Sequence, residues 1–193
     1  IACNTATSVA IKHLREVFPS LIIIGTEPGI KPAINNTKTR NIGILATAST
    51  LKGEKYQLLA NELTTKSEVK LHEQACIGLV EQIENGEINS LKTYSMLETW
   101  LKPMLHNKVD TIVLGCTHYP LVKKTILDIV GEDVLLIDTG DAIAKRVVTL
   151  SQDLQNNNKD ELNIEILYTG KINSDMVKII LGKNKFEMRK CEL

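Results

Sequence analysis

Aromatic residues make up only 4% of this 193-residue chain, with one Trp, two Phe and four Tyr. That is too little for a surface that stacks nucleobases. Charge of either sign is not in excess: Lys+Arg and Asp+Glu are both 23, so the formal net charge is zero. A neutral chain lacks the basic stripe of a nucleic-acid binder and the charged tail of many interaction modules, and no nucleic-acid partner is expected. Long apolar runs are missing too. Stretches such as Leu21 to Ile24 and Thr111 to Leu114 fall far short of the roughly 20 residues a helix needs to cross a bilayer, so no membrane partner is expected. There is no cleavable leader pattern, no glycine-rich phosphate loop, and no His/Cys/Asp spacing that reads as a metal site. The four cysteines, Cys3, Cys76, Cys116 and Cys191, have no CxxC pair, which argues against a thiol redox protein. Disulfides would be an option in a secreted protein. Free thiols in a reduced, cytoplasmic setting fit this sequence better.

What is present is an alternation of apolar β-branched runs and helical patterns. With 43% hydrophobic and 24% charged residues the chain can bury a sizeable core. The pattern predicts strands at Leu21–Ile24, Asn41–Leu45, Val69–His72, Thr111–Leu114, Leu135–Ile137 and Ile164–Tyr168. It predicts helices opening at a Thr5 or Thr7 cap and ending at Phe18-Pro19, near Lys31–Ile34, from Thr50 to about Leu63, over Ile77–Ile83 and Ile88–Leu105, after Pro120, over Asp141–Leu154, and over Ser174–Leu181 with a stop at Gly182. Ala46–Thr50 reads as a hydroxyl-rich loop and Gln155–Asp160 as an exposed polar loop. Ile1-Ala2 reads as the tail of a buried strand, which predicts a fragment that lacks its N-terminal part.

Such alternation builds βαβ units with a mainly parallel sheet, whose ligands sit beyond the carboxyl ends of the strands. Cys3, Thr47, Cys116 and Asp138 all fall at such ends. Two of these ends look alike: Ala2-Cys3-Asn4-Thr5 and Gly115-Cys116-Thr117-His118 each follow a small residue and precede a Thr-containing polar step. The expected architecture is two similar α/β domains with the active site in the cleft between them.

A thiolate is a competent general base and a thiol a competent general acid. Each cysteine also precedes a predicted helix, whose N-terminal dipole favours the anion. Two thiols presented from opposite sides can take a proton from one face of a carbon and return it to the other. Asn4, Thr5, Thr117 and backbone amides are the expected holders of substrate carboxylates. His118 can polarise Cys116 or shuttle its proton. The bland alternatives are small buried cysteines in the core, a histidine satisfied by a backbone carbonyl, and an Ala46–Thr50 turn in which Ser49 or Thr50 serves only as a cap. Cys76, with apolar neighbours Ala75 and Ile77, reads as packing.

The segments Ile1-Ala2-Cys3-Asn4-Thr5-Ala6 and Leu114-Gly115-Cys116-Thr117-His118-Tyr119-Pro120 closely resemble glutamate racemases of the cofactor-independent aspartate/glutamate racemase superfamily. Gly25-Thr26-Glu27-Pro28-Gly29 resembles the family's interdomain crossing. Ile42–Thr47 resembles its threonine loop, Ile137-Asp138-Thr139-Gly140 its Asp-Ser step, and Tyr168-Thr169-Gly170 with Val177–Leu181 its C-terminal segment. The resemblance implies interconversion of L- and D-glutamate without a cofactor or metal, for peptidoglycan synthesis. It implies that Cys3 deprotonates the D-enantiomer and Cys116 the L-enantiomer. It further implies that Asn4, Thr5, Thr47, Thr117 and His118 hold substrate, and that Glu84, with Glu81 as the near alternative, assists on the Cys116 side. It implies one domain from residues 1–27 and 138–193 and a second from 28–137. The family's N-terminal Asp-Ser and Tyr-Gly segments are not in this sequence, so low activity is expected of these residues alone. The resemblance leaves a homodimer open. Aspartate racemisation, or a non-catalytic binding or inhibitor protein on the same fold, are the alternatives.

Overall fold

The computed structural model describes residues 1–152 and 162–192. Four strands, β1 (Asn41–Ala46), β2 (Lys70–Ala75), β3 (Thr111–Leu114) and β4 (Leu135–Ile137), form one parallel sheet in the order β2-β1-β3-β4. The register sets Leu45 against both Gln74 and Leu114, and Val113 against Ile137. The central strands β1 and β3 are buried on both faces, which explains why they read as continuous apolar runs. The edge strand β2 is only half-buried and carries Lys70, Glu73 and Gln74.

Successive β3 residues point to opposite faces. Ile112 and Leu114 join Leu79 and Ile83 of α5 (Leu79–Glu84), Leu97 and Leu101 of α6 (Leu91–His106), and Ile126 of α7 (Lys123–Val130). Val113 turns the other way with Ile42 and Ile44, toward Ile30 and Ala33 of α2 (Ile30–Asn36) and Tyr56 and Ala60 of α4 (Glu54–Ser67). Most of these side chains are fully buried, and each such aliphatic group stabilises the fold by roughly 1.5–3 kcal/mol. Helix α1 (Asn4–Val17) and the short α3 (Ala48–Lys52) sit at the carboxyl end of the sheet, and α8 (Gly140–Leu150) follows β4. A second parallel pair, β5 (Ile164–Tyr168) and β6 (Phe186–Lys190), flanks α9 (Ser174–Leu181). The two α/β units carry only parallel pairings among the described residues.

The predicted strands at Thr111–Leu114, Leu135–Ile137 and Ile164–Tyr168 and the helix over Ser174–Leu181 occur at those bounds. Several other expectations are corrected. Leu21–Ile24 is not a strand: among the described residues it pairs with no neighbour, and the Arg15 guanidinium takes the Ile23 carbonyl at 2.9 and 3.3 Å. Ile1 and Ala2 are exposed rather than the end of a buried strand. The Ala46–Thr50 stretch is already helical from Ala48, because Thr47 caps α3, and the long helix expected to follow is divided at Gly53. Pro103, a residue that can bend or end a helix, lies in the last turn of α6, which closes at His106, one residue beyond the expected end at Leu105. Strand β6 was not foreseen; its alternating Phe186 and Met188 are the signal for it. The polar run at 155–160 lies outside the described residues.

At the opposite end of the sheet from the cysteines, Asp110 clasps the turn that leads into β1. It accepts hydrogen bonds from Thr37 Oγ1 at 2.6 Å, Lys38 N at 2.6 Å and Thr39 N at 2.8 Å. Burial alone would raise this carboxyl, but these bonds and one from Thr111 outweigh it and hold it below the usual carboxylate range. A depressed folded-state value stabilises above the unfolded value and is lost as pH falls through the folded one. Asp110→Ala is therefore expected to cost about 1 kcal/mol at pH 7, after allowance for solvent screening, and much less near pH 2. Urea midpoints of wild type and variant at the two pH values check this.

Candidate active site

Cys3 and Cys116 reach the same region by different local routes. Strand β3 ends at Leu114, Gly115 N donates to Leu45 O at 2.7 Å, and Cys116 then opens a tight turn in which Tyr119 N bonds Cys116 O at 3.1 Å. Pro120 sits in the first turn of the 3-10 helix Tyr119–Val122, as its missing N–H and fixed φ favour. Cys3 is the N-cap of α1, with extended backbone and its sulfur accepting from Ala6 N at 3.4 Å. The expected cap at Thr5 or Thr7 is thus displaced by the cysteine itself, and the thiol sits at the positive end of a 14-residue helix.

Two hydrogen bonds strap the look-alike motifs to each other. Asn4 Nδ2 donates to Gly115 O at 2.7 Å. Thr117 Oγ1 donates to Ala2 O at 3.1 Å. The residue after each cysteine thus bonds the backbone carbonyl that precedes the other. Both thiols are half-buried and in no disulfide, and they are near enough that a charge on Cys3 opposes ionisation of Cys116.

Behind Cys116 a relay leads away from the strap. Its sulfur lies 3.8 Å from His118 Nδ1, and His118 Nε2 lies 3.0 Å from Glu84 Oε1 at the end of α5. A carboxylate only accepts, so Nε2 carries a proton and Nδ1 of the neutral ring is free to accept from the thiol. Glu81, one turn earlier on α5, is not the partner that His118 meets. Asn173 Nδ2 holds the Glu84 carbonyl at 3.0 Å from the start of α9. A cavity of about 520 Å³ opens on this outer side, lined by Glu84, His118, Lys171, Asn173 and Ile180 among others, and neither cysteine lines it.

On the Cys3 side three hydroxyls close a triangle. Thr5 Oγ1 is 3.1 Å from Thr47 Oγ1 and 3.0 Å from Thr50 Oγ1, and the latter two are 2.9 Å apart. Thr47 is the α3 cap and accepts from Thr50 N at 3.1 Å. Asp138, at the end of β4, instead folds back onto Gly140 N at 3.0 Å.

The family model of the Asp/Glu/Hydantoin racemases matches residues 1–147 of the sequence. The chain belongs to the Asp/Glu/Hydantoin racemase family. Homologues named glutamate racemase place it among the isomerases. A glutamate racemase of Aliarcobacter butzleri (strain RM4018) is 63% identical over 193 residues, covering 100% of this chain and 74% of the relative. Among solved structures, a glutamate racemase isoform of Bacillus anthracis superimposes with a TM-score of 0.81 at 30% identity, covering 100% of this chain and 73% of that one. The Escherichia coli glutamate racemase in complex with L-glutamate and the activator UDP-MurNAc-ala gives 0.78 at 30% identity, covering 98% and 71%.

In this racemase-family chain burial acts on the Cys116 and Cys76 thiols. Burial pushes the Cys116 thiol up, Cys3 and Glu84 push the same way, and a hydrogen bond from the His118 backbone only partly offsets them. Burial drives Cys76 further, to about 12, so this third thiol stays neutral and packs in the core. Alkylation of Cys116 by iodoacetamide is therefore expected to be half-maximal above the ordinary thiol value of about 8.5. A rate profile followed by peptide mass spectrometry checks this, and a midpoint below that value would contradict it.

Thr50, expected only as part of a hydroxyl-rich loop or as a cap, closes the triangle with Thr5 and Thr47, and the cap is Thr47 instead. The signal was the Thr-x-x-Thr spacing of 47 and 50, which places both hydroxyls on one turn. No helix among the described residues is long and apolar enough to cross a membrane.

Proposed function

We propose that this protein interconverts L- and D-glutamate by two-base proton transfer at Cα, with no cofactor. The observation that carries the reading is the reciprocal strap, Asn4 to Gly115 O and Thr117 to Ala2 O, which ties two thiol-bearing motifs to one place. Glutamate as substrate rests on the relatives, which are named glutamate racemases. In one direction the Cys3 thiolate takes the Cα proton of D-glutamate and the Cys116 thiol supplies a proton to the opposite face. In the other direction the roles exchange, so each turnover leaves one thiol and one thiolate. His118 exchanges a proton with Cys116, and Glu84 orients the imidazole. Asn4, Thr5, Thr47 and Thr117 hold the substrate through neutral donors. The product would serve peptidoglycan synthesis in the cytoplasm. The same reading divides the fold into residues 1–27 with 138–193 and residues 28–137, and leaves a homodimer open.

The test uses the protein expressed at its native length, in deuterated water, without pyridoxal phosphate. L-Glutamate should yield D-glutamate carrying one Cα deuteron, while the remaining L-glutamate keeps protium at early times. No racemisation, or equal early label in both pools, overturns the two-base reading. Faster turnover of aspartate in the same assay would reassign the substrate.

A further inference from the structure

The two thiols are not held by matching devices. Cys116 has a side-chain relay behind it, whereas among the described residues the Cys3 sulfur has only the long contact from Ala6 N. A thiol is a weak substitute for the hydroxyl or carboxylate that usually caps a helix. The strap through Asn4 and Ala2 fixes the start of α1 from the Cys116 side, and a second device holds it from the helix side. One turn below Cys3, Thr7 is 1% exposed. Its Oγ1 accepts the Thr26 backbone N–H at 3.1 Å and donates to Ile1 O at 3.3 Å. Its own N–H holds Cys3 O at 2.8 Å. The chain at Gly25-Thr26 lies so close that a Cβ on Gly25 would meet Thr7 Cγ2 at 2.3 Å and Ile11 Cδ1 at 2.6 Å.

We propose that Thr7 is the positioning residue of Cys3: one buried hydroxyl clasps the segment before the thiol and the segment through Thr26 onto the same turn of α1. The clasp rests on the racemase reading for its functional consequence, but not for its effect on the Cys3 thiol. Its geometry is specific. The hydroxyl accepts the Thr26 N–H, gives its proton to Ile1 O and lies 3.5 Å from Thr26 Oγ1, and the methyl group fills the space that Gly25 leaves open. Thr26 is itself buried, so its N–H has no ready access to water when the acceptor is removed. The crossing segment must then shift, and Ile1 O loses its side-chain bond to the helix, leaving the Thr7 N–H on Cys3 O as the tie of this segment to α1.

Two variants separate positioning from packing. Thr7→Val keeps the shape and removes the hydroxyl; Thr7→Ser keeps the hydroxyl and removes the methyl. In the native-length protein, Thr7→Val is expected to lower kcat by roughly tenfold with KM changed less than about twofold, the pattern of a misplaced reacting group rather than lost binding. Thr7→Ser should recover kcat to within roughly threefold of wild type. The primary isotope effect with Cα-deuterated D-glutamate should rise more than that with the L-enantiomer, since proton removal by Cys3 becomes the slower step. Unchanged kcat in Thr7→Val, equal rises in both isotope effects, or a serine variant as slow as the valine one overturns the proposal. A second measurement needs no racemase activity. The ratio of Cys3 to Cys116 alkylation rates should change at least about threefold in Thr7→Val and stay near wild type in Thr7→Ser. An unchanged ratio defeats the clasp even if the protein racemises glutamate. A changed ratio in a protein that does not racemise leaves the clasp standing and removes the functional reading.

Discussion

Replacing Cys116 or Cys3 by serine is expected to cut glutamate racemisation by at least ~10³-fold in either direction, the upper range for loss of a general acid or base. A serine hydroxyl is far less acidic than a thiol, so the variant cannot supply the anion that removes a Cα proton near neutral pH. Both directions suffer because each base in one direction is the acid in the other. The Cys3 variant separates chemistry from stability. Cys3 is the N-cap of α1, and serine is a better cap than cysteine, so Cys3→Ser should melt no lower than wild type. Thermal unfolding beside initial rates is the measurement. Activity within tenfold of wild type in either variant (a factor of roughly 1.4 kcal/mol) would falsify the two-thiol scheme.

Gly115→Ala is expected to have the second largest effect, on stability and activity together. A Cβ at this position would meet Leu45 O at 2.8 Å and Ala46 Cβ at 3.0 Å. Leu45 O is also the acceptor of the Gly115 N–H at 2.7 Å, so the backbone of β1 cannot simply give way. The ends of β1 and β3 must part, at a cost of roughly 1–3 kcal/mol for overpacking a tight interior. Gly115 O is the acceptor for Asn4, so the same displacement loosens the strap between the cysteine motifs. We expect a lowered urea midpoint and a drop in kcat/KM of ~10²-fold, the scale of a misplacement of about 1 Å at a reacting group. Wild-type stability with wild-type kcat/KM would show that the close approach has no part in setting the site.

Much of the framework was legible in the chain because its signals are local. Ile112–Leu114 and Ile42–Leu45 are runs without a polar side chain, and they lie in the doubly buried strands β3 and β1. The matched small-Cys-polar steps mark Cys3 and Cys116 by residue type and order alone. Local signals failed where a partner decides. Leu21–Ile24 has the composition of a strand, yet no described strand pairs with it, and a strand exists only through a neighbour's hydrogen bonds. Thr5 and Thr7 both look like caps. Tertiary packing assigned the cap to Cys3, sent Thr5 into the hydroxyl triangle, and buried Thr7 against Thr26.

The glutamate helper illustrates the boundary well. Glu81 and Glu84 share a short helix, and the resemblance ranks Glu84 first where residue chemistry alone does not separate them. Only the packing of α5 beside the Cys116 turn brings Glu84 within 3.0 Å of His118. Residue types and spacing therefore settled which elements form and which side chains are able to move a proton, since both depend on short stretches of chain. The folded arrangement settled which of those side chains meet, because contacts such as Asn4 with Gly115 join residues far apart in sequence and are chosen by how the helices close over the sheet.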